Sequence, residues 1–342
     1  MIRNQWYAIL ESNEVHRGKP VGVTRMGEKL VAWRDSDGKV TVMVDRCPHR
    51  GVALSAGAVH GNNIWCPFHG FEFDASGRCT VIPANGREAP VPKAFQVRTY
   101  PAHEAHGFIF IYWGEADGEV GLPRWFEDLD DSFSYGSARD PWQAHYSRVI
   151  ENQLDVPHVP FIHHNTIGRG GRTVMDGPWV EWQGPDRFFV RTAMRPEDGV
   201  PARSAKEMAP PDKPFHLEFM FPNLWQNWIS DKVRVVAAFA PVDEENTMLY
   251  LRFYQNFMRT PGVRGFINST SMIFNTIVAR QDRRVVQTQR PMRSDLRIGE
   301  KLIPGDGPII AYRRRRQELI DAAQQAADRN ARRAGALAIE VN

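Results

Sequence analysis

The sequence predicts an α+β protein in which an all-β part, residues 1–118, precedes an α+β part, residues 119–342. Residues 29–113 consist of short apolar runs separated by turn residues, with no convincing helix. After Gly118, strand-like runs are followed by two long segments that are typical of helices. A length of 342 residues agrees with two domains, since about 150 residues is typical of one.

The N-terminal strands are predicted from apolar runs that end at turn residues. The runs at 30–33 and 40–44 flank the tetrapeptide Asp-Ser-Asp-Gly, which indicates a β-hairpin. A second hairpin is predicted where residues 71–74 lead through a Gly-containing turn into residues 79–82. Hairpins of this kind build a small antiparallel β domain.

The C-terminal part mixes both kinds of element. Residues 147–165 carry apolar side chains at helical spacing, but Pro157 and Pro160 must bend or end that helix. Strands are predicted at 188–190, 217–221, 233–239 and 248–254. Residues 266–289, which lack Pro and Gly, and residues 311–334, which begin with an arginine run at 313–316, are predicted to be long helices.

The composition excludes several classes of protein. The chain has 43 basic and 40 acidic side chains, and a net charge of +3 gives no reason to expect nucleic-acid binding. The apolar patch at 108–113 is far shorter than the roughly 20 residues of a membrane helix, and the N-terminus lacks signal-peptide features. Three cysteines cannot form a disulfide framework, so we expect a cytoplasmic protein with no membrane partner.

The first group of candidate ligands consists of two cysteines and two histidines, Cys47, His49, Cys66 and His69. Two thiolates and two imidazoles suit a tetrahedral zinc ion, or a [2Fe–2S] cluster in which two histidines replace two cysteines on one iron. The single residue between Cys47 and His49 is tighter than the usual zinc spacing. Both pairs also lie on turns that contain Pro and Gly, and these details favour iron–sulfur.

The second group lies in the C-terminal part. On a helix, Asp155 and His158 are three residues apart and would share a face, and a bend at Pro160 would return His163 to the same position. Two histidines and one carboxylate bind Fe(II) and leave coordination positions open for O₂ and substrate. The sequence therefore predicts a mononuclear iron site that still needs a carboxylate.

Asp282 is the predicted carboxylate ligand, because the long helix 266–289 gives it a rigid platform. The competing acids Glu244 and Glu245 lie in a turn and are expected to be solvated.

With these two groups in this order, the chain resembles the Rieske non-haem iron oxygenases. Residues 5–113 are similar to a Rieske [2Fe–2S] domain, and residues 152–163 match the signature Asp-x-x-His-x-x-x-x-His preceded by Asn. The resemblance implies that His158, His163 and Asp282 bind iron and that Asp155 bridges the two metal centres. It places Asn152 just outside the ligands of the iron.

Two further residues bear on this resemblance. His164 adjoins His163 and is an alternative ligand, but the family spacing selects His163. Respiratory Rieske proteins carry two additional cysteines, which form a disulfide beside the cluster, and Cys79 is the only spare cysteine here. The chain therefore resembles the low-potential type found in oxygenases and their ferredoxins, with Cys79 as a buried strand residue.

The resemblance also implies an architecture and partners. We expect a helix-grip (START-like) catalytic domain with an antiparallel sheet, and a head-to-tail homotrimer. In that ring, His69, or alternatively His49, would donate a hydrogen bond to Asp155 of the next subunit. A separate NAD(P)H-dependent reductase, a ferredoxin or both are expected, because the sequence has no glycine-rich nucleotide fingerprint.

The length resembles that of the shorter monooxygenases, which hydroxylate or O- or N-demethylate a small aromatic or cyclic substrate with O₂. Three alternatives stay open: a ring-dihydroxylating dioxygenase, a Rieske electron carrier, and a binding protein on the same fold. Asn223 and Asn227 are candidates to orient a polar group of the substrate. The arginine run at 313–316 is a candidate docking site for an acidic ferredoxin, although such runs are more often solvated helix faces.

Overall fold

The computed structural model describes residues 1–115, 118, 120–212 and 215–340, with the backbone alone described for 333–340. They divide into two compact units. The small unit comprises Asn4–Phe126 and Ala240–Glu244, and the large unit comprises Met1–Arg3, Glu127–Phe239 and the residues from Glu245 onwards. The domain boundary expected between residues 118 and 119 stays a prediction.

The small unit is built from eleven strands in three antiparallel sheets. The strands are β1 (Gln5–Glu11), β2 (Val21–Arg25), β3 (Glu28–Arg34), β4 (Val40–Val44), β5 (Ala58–His60), β6 (Asn63–Trp65), β7 (Glu72–Phe73), β8 (Cys79–Val81), β9 (Thr99–Tyr100), β10 (Ala102–Ala105) and β11 (Phe108–Trp113). The sheet orders are β1-β11-β10, β2-β3-β4-β9 and β5-β6-β7-β8. Helical structure in its described part is limited to the 3₁₀ turns Ser12–Glu14, Leu54–Ala56 and Pro83–Asn85.

The strand pairing confirms the prediction of an all-β N-terminal part. The two predicted hairpins form as β3–β4 and β7–β8, in which Ala32 faces Val42 and Phe73 faces Cys79. Cys79 is 2% exposed, as expected for a buried strand residue, and it packs in the core of this unit.

The large unit has one seven-stranded antiparallel sheet and long helices. Its strands are β12 (Ser134–Trp142), β13 (Val174–Trp182), β14 (Arg187–Arg195), β15 (His216–Met220), β16 (Leu224–Ser230), β17 (Val233–Pro241) and β18 (Thr247–Gln255), in the order β12-β18-β17-β16-β15-β14-β13. Its helices are α1 (Tyr146–Leu154), α2 (Val159–Ile162), α3 (Pro261–Val286) and α4 (Gly307–Glu340), and a 3₁₀ turn spans Pro304–Asp306.

The helices cover one face of this sheet and share a core with it. Helix α3 packs on β12 and β18, α4 packs on β13, and α1 contacts both helices. Phe219 of β15 and Phe239 of β17 are fully buried, in one cluster with Val149 of α1 and Met272 of α3. The predicted α+β class with an antiparallel sheet is thereby confirmed. None of the helices described is both long enough and apolar enough to cross a membrane.

None of the three predicted helices begins and ends at the predicted residues; α4, predicted at 311–334, spans Gly307–Glu340. The region predicted as one bent helix is broken after Leu154, because Pro157 forces the residue before it out of the helical conformation. Pro160 does not bend a helix but occupies the first turn of α2, where its missing N–H costs nothing. Helix α3 begins five residues earlier than predicted, because Pro261 is favourable in the first turn.

Two of the four arginines in the run of α4 are buried rather than solvated, whereas Arg314 is exposed. Arg313 and Arg316 are 5% and 2% exposed. Arg313 makes two charged hydrogen bonds to Glu151 of α1, Nε to Oε1 at 2.6 Å and an Nη to Oε2 at 2.9 Å. Arg148 of α1 contacts the same carboxylate at 3.2 Å. This buried cluster joins α1 to α4, so the interpretation of the whole run as a ferredoxin-docking face is wrong.

Candidate metal centres

Two loops of the small unit carry the four Cys and His candidates, and both are closed by the same hydrogen bonds. Cys47 N–H donates to the Val52 carbonyl at 2.8 Å, and Gly51 N–H donates to the Cys47 carbonyl at 2.9 Å. The Cys66 loop repeats this pattern with Phe71 and Gly70, at 2.8 and 3.0 Å. Gly51 and Gly70 have φ of +77° and +70°, a conformation that glycine adopts without strain.

The loops place the thiols inside and the imidazoles outside. Cys47 and Cys66 are 2% and 3% exposed, whereas His49 and His69 are exposed with ring centroids 4.7 Å apart. Burial and the neighbouring Cys66 thiol raise the pKa of Cys47 to about 11, against the lowering effect of the His49 and Arg50 backbone N–H groups. Burial disfavours the thiolate form of Cys47 as long as no metal is bound. Two neighbouring buried thiols suit a site where a metal ion takes the place of the proton.

In the large unit, His158, His163 and Asp282 converge. Asp282 Oδ1 lies 2.9 Å from His163 Nε2 and 3.3 Å from His158 Nε2, and the two Nε2 atoms are 3.3 Å apart. Of the His, Cys, Asp and Glu side chains that the structure describes, these form the one group of three whose ligand atoms all lie within 4.8 Å of one another.

Local structure explains the convergence. His158 and His163 are the capping residues at the two ends of the single-turn helix α2, so both imidazoles reach the same point. Asp282 lies in the last turns of α3 and is 3% exposed. The competing acids Glu244 and Glu245 are exposed on the turn between β17 and β18, as expected.

Charge also favours a cation at this point. Burial lowers the pKa of His158, but the carboxylates of Asp155 and Asp282 outweigh this effect and raise it to about 9. Burial also disfavours the charged form of Asp282, yet contacts with His158 and His163 hold its pKa below the usual range. A bound divalent ion would take over the role of the proton on His158.

The residues present fit a metal ion. Asp282 Oδ1 is buried and has no well-aligned hydrogen bond within the described part of the chain, although it faces both Nε2 atoms. Such a geometry is expected when three ligand atoms point at a common centre rather than at one another. Two imidazoles and one carboxylate are the ligand set of non-haem Fe(II) sites.

Asp155 reaches His158 by a route that differs from the predicted one. It is the C-cap of α1 with an extended backbone, so the two residues do not share a helix face. Instead, Asp155 Oδ1 accepts the His158 backbone N–H at 3.2 Å and lies 3.7 Å from its Nδ1. Asn152 is 9% exposed, and its Nδ2 has no hydrogen-bond partner among the described residues.

One contact of this centre was missed by the sequence interpretation. Gln281 Oε1 lies 2.8 Å from His163 Nδ1, on the side of the ring opposite Asp282. Its position next to the predicted carboxylate ligand was the available signal. The structure brings His163, not His164, to Asp282; His164 is exposed, and its Nδ1 contacts the Phe161 carbonyl at 3.0 Å.

The two asparagines that were proposed for substrate differ in their surroundings. Asn223 is fully buried and donates to the Phe239 carbonyl at 3.2 Å, a contact that stabilises the fold. Asn227 of β16 lies opposite Leu217 of β15 and Val235 of β17 in the sheet. Both of these residues belong to the core between the sheet and the helices, so the Asn227 side chain lies on the face of the sheet that the helices cover. Its Oδ1 is buried without a hydrogen-bond partner in the described structure, and Asn227 is therefore the better candidate.

Two family models match ranges that contain the two groups of candidate ligands. Residues 5–101 match the Rieske [2Fe-2S] domain. Residues 142–322, slightly more than half of the chain, match the vanillate O-demethylase oxygenase C-terminal domain. The first range contains the Cys and His loops, and the second contains the three residues that converge in the large unit.

Individual relatives agree with these matches. The chain is 34% identical over 178 residues to the putative toluene-4-sulfonate monooxygenase system iron-sulfur subunit TsaM2 of Comamonas testosteroni, covering 49% of this chain and 48% of that protein. It is 29% identical over 260 residues to the 3-chlorobenzoate-3,4-dioxygenase oxygenase subunit of the same species, covering 73% and 58%. The chain thus spans about half the length of these curated relatives.

A solved structure shows the same fold. NdmA from Pseudomonas putida CBB5 is similar with a TM-score of 0.76 over 94% of this chain and 92% of that chain, at 23% sequence identity. At this identity the likeness concerns the architecture alone.

Proposed function

This chain belongs to the Rieske oxygenases, and from that premise we propose that it is the terminal oxygenase of a multi-protein system. It would use O₂ and electrons from a separate NAD(P)H-dependent reductase, a ferredoxin or both. The reaction would hydroxylate, or O- or N-demethylate, a small aromatic or cyclic substrate. The convergence of His158, His163 and Asp282 carries this proposal, because an electron carrier has no use for a second metal site.

Each group of ligands has its own role. Cys47, His49, Cys66 and His69 would hold the [2Fe–2S] cluster, and His158, His163 and Asp282 would hold Fe(II). When bound, the cluster supplies single electrons and the mononuclear iron supplies the reactivity towards O₂. The chain's own contribution is placement: α2 and α3 would supply three ligands and leave coordination positions open. The burial of His163 and Asp282 limits access of water.

Demethylation or single hydroxylation is the preferred subclass. Support comes from the match to a domain described for vanillate O-demethylase and from the similarity to a putative monooxygenase subunit. Ring dihydroxylation is the second candidate, because a dioxygenase subunit also matches most of the chain. We propose that Asn227, with its unpartnered buried Oδ1, accepts a hydrogen bond from the substrate.

The proposed assembly is a head-to-tail homotrimer. The exposed His49 and His69 lie beside Phe68, which is 50% exposed, and such a surface suits a protein contact. Asp155 keeps about a third of its side chain exposed and can accept a hydrogen bond from outside. We propose that His69 of one subunit donates to Asp155 of the next.

Asp155→Asn tests the bridge. Asparagine keeps an oxygen that can accept the His158 N–H, but it removes the charge that would attract the imidazole of the next subunit. We expect the iron content to stay unchanged and turnover to fall about 10- to 100-fold, as is usual when such outer hydrogen bonds are lost. Single-turnover reduction of the mononuclear site measures the effect, and unchanged turnover would rule the bridge out.

Metal analysis followed by substrate screening tests the function itself. An oxygenase should hold about three irons and about two labile sulfides per chain, whereas an electron carrier should hold about two of each. Aromatic methyl ethers, N-methyl compounds and aromatic acids can then be screened for substrate-dependent O₂ uptake with a surrogate reductase. Formaldehyde release would support demethylation, and a hydroxylated product without it would exclude that subclass.

A further inference from the structure

We propose that Gln281 is a positioning residue of the mononuclear centre: its side-chain carbonyl keeps the proton of His163 on Nδ1 and leaves Nε2 free to bind the ion. This inference rests on the proposed function, since it concerns the support of a metal ligand. A histidine presents one nitrogen to a metal only when the other nitrogen carries the proton, and the acceptor facing that proton decides which one it is.

Consecutive residues of α3 contact the two nitrogens of the His163 ring. Asp282 Oδ1 lies 2.9 Å from Nε2, and Gln281 Oε1 lies 2.8 Å from Nδ1. His163 is 1% exposed, so water does not compete for either position. The ring plane and the tautomer of His163 are therefore set by a single helix.

The orientation of the Gln281 carboxamide is itself supported from the α2 side. Gln281 Nε2 donates to Asn165 Oδ1 at 2.9 Å, and Thr166 Oγ1 donates to Gln281 Oε1 at 3.0 Å. With its nitrogen engaged by Asn165, the carboxamide turns its oxygen towards His163. An amide whose oxygen already receives the Thr166 hydroxyl can accept the Nδ1–H as well, because a carbonyl oxygen has two lone pairs.

The other histidine of the centre lacks this support. His158 Nδ1 is buried and has no well-aligned hydrogen-bond partner in the described structure, and the nearest carboxylate oxygen, on Asp155, lies 3.7 Å away. The two ligands therefore differ: a neutral amide contacts His163, whereas His158 faces a carboxylate that is about one third exposed. We infer that His163 is the ligand held in advance of metal binding.

The chain supplies a set of matched variants. Gln281→Leu removes the acceptor at similar size, and Gln281→Glu keeps an acceptor oxygen. Asn165→Ala removes the group that orients the amide. Asn275→Leu is the control, because Asn275 is a partly buried amide on the same helix. Among the described residues it donates only to the Ser271 carbonyl, at 2.8 Å.

The experiment measures Co²⁺ binding by the full chain after the mononuclear metal has been removed, with the visible absorption of the [2Fe–2S] cluster reporting that the protein is intact. We expect Gln281→Leu to weaken Co²⁺ affinity about 10- to 100-fold. Gln281→Glu should bind within a few-fold of wild type, Asn165→Ala should lie between the two, and Asn275→Leu should match wild type. If Gln281→Leu does not fold, the glutamate and Asn165 variants carry the test.

The outcomes separate this inference from the proposed function. If wild-type protein that retains its cluster binds no Co²⁺ at all, the proposed function is contradicted. Wild-type binding with equal affinity in Gln281→Leu would overturn the role of Gln281 alone. A loss in Gln281→Glu as large as in Gln281→Leu, or an equal loss in Asn275→Leu, would show that packing of α3 rather than the hydrogen-bond acceptor is responsible.

Discussion

Replacing Asp282 by asparagine is expected to remove the mononuclear metal and to lower turnover to below about 1% of wild type, a larger loss than an outer hydrogen bond gives. Asp282 is the one anionic side chain among the three proposed ligands, and its Oδ1 lies within 3.3 Å of both Nε2 atoms. Asparagine preserves the shape but replaces the charged oxygen by a neutral one. Only two neutral imidazoles and a weak amide oxygen would remain.

Iron and sulfide content, measured on the same preparation, check this prediction. The variant should keep the cluster, with about two irons and about two labile sulfides, and lose about one further iron per chain. Glu245→Gln is the control, because Glu245 is an exposed acid of the β17–β18 turn and should leave the iron content unchanged. Full iron content in the Asp282 variant would show that this carboxylate is not a ligand.

The second large effect concerns stability. Glu151→Ala is expected to lower the free energy of unfolding by about 3–5 kcal/mol, because removing one member of a buried ion pair leaves the partner charge uncompensated. Glu151 is 4% exposed and contacts Arg148, Arg313 and the Ser294 hydroxyl. Both guanidinium groups would stay buried without this carboxylate, although Glu300 would still contact them.

Denaturant unfolding, followed by far-UV circular dichroism, measures this loss. The matched control is Glu318→Ala, which breaks the Arg315–Glu318 pair at 2.8 Å on the same helix α4. Glu318 is 52% exposed, and exposed pairs contribute only about 0–1 kcal/mol because water screens them. Similar losses in the two variants would mean that burial does not determine the strength of the Glu151 cluster.

The buried cluster also bears on function through α1. This helix carries Asn152 and leads directly into Asp155 and His158, so its anchoring to α4 through Glu151 and Arg313 determines where these residues lie. We therefore expect the Glu151 variant to lose activity as well as stability. The arginine run that looked like a docking face is in part an internal support of the site.

Several features of the centres could be predicted from the sequence because they depend on short-range spacing. Three pairs of candidate ligands each lie within one loop or at the ends of one short helix, so local backbone geometry brings the members of each pair together. These pairs are Cys47 and His49, Cys66 and His69, and His158 and His163. Glycines after each Cys/His pair and prolines at helix ends are also local signals, and the two hairpins followed from turn residues.

Other features depend on which segments meet in space. Asp155 and His158 approach each other across a helix break, not along a helix face, because Pro157 ends α1. The His158 backbone N–H donates to the Asp155 side-chain carboxylate. Gln281 reaches His163 from 118 residues away, and Arg313 reaches Glu151 from 162 residues away. A charge or an amide in the sequence does not reveal whether it is solvated or buried against a partner.

The sequence by itself therefore predicted the class of each proposed metal centre, since ligand type and local spacing are covalent properties of the chain. The tertiary structure decided how α3 brings Asp282 to His158 and His163, which side-chain atom faces each nitrogen of His163, and which arginines are internal. These features depend on burial, because a polar group that is removed from water must find its hydrogen-bond and charge partners within the protein. Those partners then fix its orientation.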